Sequence, residues 1–146
     1  MPSTANCFRK MNNAILLDTN AAIWLAEGTL PVASLALIVD ATIEGQALVS
    51  PATAWEAGLL AKGNRYPFKA GPAAWFEWLI DQARLVEAPL TSQILIASSF
   101  LPGEVHNDPA DRMLIATARR LDCALMTRDK KILAYAAQGH VKAIVC

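Results

Sequence analysis

The chain has 146 residues, a length that fits one domain with a full hydrophobic core. Hydrophobic residues make up 54% and charged ones only 18%, which points to strands buried on both faces or to an apolar surface kept for a partner. The formal net charge of zero excludes nucleic-acid binding through bulk charge, and no apolar run approaches the ~20 residues of a membrane helix.

The three cysteines, Cys7, Cys123 and Cys146, are odd in number and lack ligand spacing, so they read as free thiols of a cytoplasmic protein. Met1 to Lys10 is polar and aperiodic, without the apolar stretch of a signal peptide. Met11, followed by NNAILLDTN, offers an alternative start. Residues 1–12 therefore read as a flexible N-terminal extension, and residues 13–146 as a single domain.

Ala14 to Leu17 is a short apolar run fit for a central strand, and it ends in Asp18-Thr19-Asn20. Thr19 or Asn20 can cap the next helix, whose stripe of Ala22, Ile23, Leu25 and Ala26 stops at Gly28. Val32 to Glu44 is a second helix, with Leu35, Ile38, Val39 and Ile43 at helical spacing. After Gly45-Gln46 comes a strand, Ala47 to Val49. Ser50-Pro51 then opens a helix from Ala52 to about Lys62, with Trp55, Leu59 and Leu60 apolar and Glu56 one turn in from its start.

Gly63 to Gly71 is a loop, Pro72 to Gln82 a helix, and Arg84 to Ala88 a third strand. Thr91 or Ser92 caps a helix over Gln93 to Phe100, and Leu101 to Asn107 is a linker. Asp108-Pro109 starts the next helix, with Met113, Leu114, Ala116, Thr117 and Leu121 apolar. The strand Cys123 to Thr127 follows, ending at Arg128-Asp129. Val141 to Val145 is a last strand. Such alternation argues for a mostly parallel sheet covered on both faces.

Ligands of such sheets sit at the C-terminal edge, near the point where strand order reverses. Asp18 and Asp129 follow strands, while Glu56 and Asp111 lie near helix starts that face the same edge. Taken alone, capping accounts for Asp108 and Asp111, since carboxylates at a helix start bond free amides and meet the positive end of the dipole. Asp129 alone fits a turn or the cap of a short helix at Lys130 to Ala136. Four carboxylates converging from distant stretches call for more: they repel one another unless a cation neutralises them. Oxygen ligands suit Mg2+ or Mn2+, and a cation held there can activate water and stabilise a phosphoryl transition state.

LLDTN, SPATAWEAGLLAKG, HNDPADRMLIATA and LMTRD, in this order, resemble the PIN-domain family, specifically the VapC-type toxins of toxin–antitoxin pairs, over nearly the whole chain from Ile15. The resemblance implies a three-layer α/β/α sandwich and a metal-dependent ribonuclease. It implies Asp18, Glu56, Asp111 and Asp129 as the acidic quartet for Mg2+ or Mn2+, with Asp18 and Asp111 favoured as direct ligands. It also implies an RNA substrate, an antitoxin that blocks the site, and a homodimer or larger toxin–antitoxin assembly, with no membrane role.

Supporting residues carry two readings each. Asn20 orients Asp18 or caps a helix, and Thr127 supports Asp129 or is a plain strand residue. Asp108 is kept as a cap or outer neighbour of the site. Arg112 reaches an RNA phosphate or pairs with Asp108, and Arg128, Lys130 and Lys131 form a basic cluster that contacts phosphate or merely solvent. His106 reads as an ordinary loop histidine. The aromatic stretch at Trp75 and Trp78, with Trp24 and Leu30, reads as core or as a groove for an antitoxin helix. Two alternatives compete: a phosphatase with Asp18 as nucleophile, for which Asn20 stands where a second Asp is wanted, and a non-catalytic binding module, in which the acidic set would be broken.

Overall fold

The computed structural model describes residues 13–146; the extension expected over residues 1–12, with Cys7, lies outside them. The chain runs β1 (Ile15–Leu17), α1 (Thr19–Glu27), α2 (Val32–Ile43), β2 (Ala47–Val49), α3 (Pro51–Lys62) and α4 (Gly71–Asp81). It continues through β3 (Val86–Glu87), α5 (Ser92–Ser99), α6 (Pro109–Leu121), β4 (Ala124–Thr127), α7 (Lys130–Ala137) and β5 (Lys142–Val145). The third strand is thus shorter than its apolar run, with only Val86 and Glu87 in the ladder.

The strands form one sheet in the order β3-β2-β1-β4-β5, and every pairing among the described residues is parallel. Alternation along the strands divides the core in two. Leu16, Leu48 and Leu125 face one side, with Leu114, Ile115, Leu121, Ile132 and Tyr135 of α6 and α7. Ile15, Leu17, Val49 and Met126 face the other, with Ala21, Ala22, Ile38 and Leu79 of α1, α2 and α4. The result is the three-layer sandwich. No single helix among the described residues is long and apolar enough to cross a membrane.

After β3 the chain crosses back to the far side of β1, so β1 and β4 flank the point where strand order reverses. Leu17 lies beside Met126 in register, and the amide of Asp18 donates to Met126 O at 3.0 Å, extending the ladder one residue past β1. α1, α3 and α7 start where β1, β2 and β4 end. α6 runs back against β4, so its N-terminus also reaches that edge.

Helix starts follow from their capping side chains. Asp18, not Thr19 or Asn20, caps α1, and Gly28 ends it with a left-handed φ of 73°. Ser50 accepts from the Ala52 amide at 3.0 Å, Thr91 caps α5, and Asp108 and Asp129 cap α6 and α7. Of the apolar residues at helical spacing in α2, Ile38 is buried, but Leu35, Val39 and Ile43 are exposed, Ile43 at 79%. VASLALIVDATI is apolar on nearly every side, so the core takes only Ser34, Ile38 and Ala41. Trp55 and Leu59 of α3 are also exposed, because that helix buries its small side, Ala52, Thr53 and Ala57.

Ser50 is fully buried at the start of the helix that carries Glu56. Ser50→Ala should cost roughly 1 kcal/mol, read as a lower urea midpoint with unchanged slope. An unchanged midpoint would remove the cap from the account.

Candidate active site

Asp18 is 5% exposed and both of its oxygens accept hydrogen bonds. The Ala21 amide donates to Oδ1 at 2.7 Å and the Thr127 hydroxyl to Oδ2 at 2.5 Å. Thr127 Oγ1 in turn accepts the amide of Asp129 at 3.0 Å. Thr127 is therefore more than a strand residue, since one buried hydroxyl ties together the residues that follow β1 and β4. Asp129 Oδ1 accepts from the amides of Lys131 and Ile132 at 2.8 and 3.0 Å.

The other two carboxylates come from helices. Glu56 accepts from the Thr19 hydroxyl, which also lies 3.1 Å from Thr53 Oγ1. Asp111 stands in the first turn of α6, its amide donating to Asp108 Oδ1 at 2.9 Å, while its own Oδ2 lies 2.7 Å from His106 Nε2. His106, Asp111 and Asp129 each offer a ligand atom within 4.8 Å of the others.

Electrostatics binds the group together. Burial is the largest cause of an Asp18 pKa pushed up to about 6, and the charges of Asp111 and Asp129 add to it against the bonds from Thr127 and Ala21. Burial also pushes Glu56 up to about 7, with Asp111, Asp108 and Asp18 adding repulsion and Thr19 opposing. Asp111 is raised by burial, then by Asp108 and Asp129, against the His106 bond. Capping explains where Asp18, Asp108 and Asp129 sit. It does not explain Glu56 or Asp111, whose side chains cap nothing and are nonetheless half-buried among like charges.

The remaining expectations divide. Asn20 is exposed beside Asp18, which does the capping itself. Arg112 neither pairs with Asp108 nor points to open solvent: it donates to Ser98 O at 2.9 Å, Val105 O at 3.2 Å and His106 O at 3.3 Å. Arg128 donates to Cys146 O at 2.7 Å and lies 4.0 Å over the Trp24 ring, tethered but exposed. Lys130 and Lys131 are exposed. His106 is the member that sequence reasoning missed. Its only sequence signal is that it stands five residues before Asp111, which is no ligand spacing by itself.

The sequence matches the PIN domain family over residues 15–138. The chain belongs to the PIN domain family. This PIN domain is 28% identical over 120 residues to ribonuclease VapC22 of Mycobacterium tuberculosis, covering 81% of this chain and 88% of that one. Its fold is similar to the crystal structure of VapBC2 from Rickettsia felis bound to a DNA fragment from their promoter. The TM-score is 0.68 at 12% identity, over 91% of this chain and 98% of that one. It is also similar to FitAcB from Neisseria gonorrhoeae, with TM-score 0.54 at 21% identity, over 89% and 96% of the two chains.

The donors fit a hard divalent cation: carboxylate oxygens, several of them with raised pKa, and a single imidazole at the margin. Raised carboxyl pKa values favour the protonated folded state, so cation-free protein should lose stability as pH rises from about 4, the unfolded carboxyl range, to about 7. Melting temperatures at pH 5 and 8 check this. Glu56→Gln should flatten the slope and Mn2+ should raise the pH 8 value. The same slope in the variant would show that Glu56 does not carry the penalty.

Proposed function

We propose that this PIN domain is a metal-dependent endoribonuclease, the toxin of a toxin–antitoxin pair. The observation that carries the reading is the gathering of Asp18, Glu56, Asp111 and Asp129 at the C-terminal edge between β1 and β4. Burial, with repulsion from neighbouring carboxylates, disfavours the charges of Asp18, Glu56 and Asp111 there. The family match and the similarity to ribonuclease VapC22 support it.

In this reading Asp18 and Asp111 hold the cation, Mg2+ or Mn2+, with Asp129 and Glu56 completing its surroundings. A divalent cation so placed lowers the pKa of water and neutralises charge building on a phosphodiester. Glu56, which accepts the Thr19 hydroxyl through Oε1, is the carboxylate placed to take a proton from water. The phosphatase alternative lacks its second Asp, since Asn20 stands two residues after Asp18 and is exposed. Lys130 and Lys131, with the tethered but exposed Arg128, are the cations beside Asp129 for an RNA phosphate.

The antitoxin and a second copy of the chain are the proposed partners. Trp75 and Trp78 line a cleft of about 560 Å3 with Ala26, Tyr66 and Phe68. Trp75 Nε1 is buried without a hydrogen-bond partner among the described residues. Trp24, Leu30 and Trp75 also pack against this chain's own core.

The test is cleavage of total RNA by purified protein with Mn2+ or Mg2+, against EDTA, Asp18→Asn and Asp111→Asn. Discrete bands should appear only with the cation. Each variant should lose at least about a hundredfold in rate, the scale of removing one preorganised charge-stabilising group. Cleavage that survives EDTA, or both substitutions, would overturn the assignment.

A further inference from the structure

The linker between α5 and α6, residues 101–107, has no regular secondary structure, yet it is pinned along its length. Tyr135, 1% exposed, donates its hydroxyl to Pro102 O at 2.6 Å. Leu101 and Val105 pack against the core beneath α6 and α7. Arg112, the residue after Asp111, donates to the carbonyls of Val105 and His106. It is itself anchored on the carbonyls of Ser98 and Ser99 at the end of α5, at 2.9 and 3.5 Å. Packing and hydrogen bonds of this kind lock the side chains that a loop presents.

Glu104 and Asn107 of the linker are exposed, but His106 turns inward, its side chain 15% exposed and Nε2 2.7 Å from Asp111 Oδ2. An ionised carboxylate only accepts, so the ring nitrogen facing it donates. Asp111 bonds no helix amide with its side chain, which leaves this contact to set the plane of the carboxylate and to leave Oδ1 for another partner.

We propose that His106 is a positioning residue for Asp111: the pinned linker presents Nε2 to Oδ2 and holds the carboxylate in the orientation a divalent cation requires. The inference rests on the reading of Asp111 as a cation ligand. Direct ligation by His106 is the competing role, since Nε2 also lies within 4.8 Å of the ligand atoms of Asp111 and Asp129. Positioning is favoured because Nε2 is already committed to Asp111 and would have to give up both its proton and that bond to ligate.

The experiment is Mn2+ binding followed by electron paramagnetic resonance on the full chain, with metal-free melting temperatures measured alongside. His106→Ala should weaken Mn2+ by roughly 10–100-fold, the usual effect of removing a partner that orients a ligand, without a matching fall in melting temperature. His106→Gln, whose amide still donates, should recover most of the affinity. The wild-type signal should carry no nitrogen hyperfine coupling from the ring. Wild-type affinity in His106→Ala, no rescue by Gln, or a nitrogen coupling lost on substitution would each overturn the positioning role. Wild-type protein that takes up no Mn2+ would remove the cation site itself, and this role with it.

Discussion

The hydrogen bond from Thr127 Oγ1 to Asp18 Oδ2 joins residues 109 positions apart, and the proposed site is built around it. Its donor is fully buried at the end of β4, and its acceptor is the first residue beyond β1. The same hydroxyl accepts the amide of Asp129, so two carboxylates are located by one oxygen. Parallel pairing of Leu17 with Met126 is what makes this reach possible. A slip of one residue would turn every side chain of β1 to the other face of the sheet, and Asp18 would leave Thr127.

Around that bond the fold sets helix N-termini against carboxylates. α1, α6 and α7 begin at Asp18, Asp108 and Asp129, whose side chains satisfy amides that the helices leave free. Burial and crowding push Asp18 up to about 6, against its bonds from Thr127 and Ala21, and Glu56 up to about 7, against its bond from Thr19. The protein therefore keeps a group of acids that a core optimised for stability alone would not contain. Conflict between local stability and arrangement is what a functional site is expected to show. A bound cation would relieve it.

Much of this was legible in the sequence because it depends on local chemistry. Asp108-Pro109 and Ser50-Pro51 announce helix starts, and three of the five strands carry short apolar runs ahead of a polar residue. The order of those elements was enough to place four carboxylates at one sheet edge. The parts that were not legible depend on contacts across the chain. Arg112 reads as a free cation until the loop carbonyls close on it, and Arg128 until Trp24 and the last residue arrive. His106 carries no local pattern, since only the path of the linker brings it to Asp111. The exposure of Leu35, Val39 and Ile43 has another reason: an apolar spacing names a helix face but cannot choose between two apolar faces.

That cluster, read as a cation site, is the central claim, and anomalous diffraction from crystals grown with Mn2+ tests it most directly. The account predicts a manganese peak bounded by the carboxylates of Asp18 and Asp111, with Asp129 alongside. An ordered site with no peak, or a peak at some other cluster of acids, would contradict it.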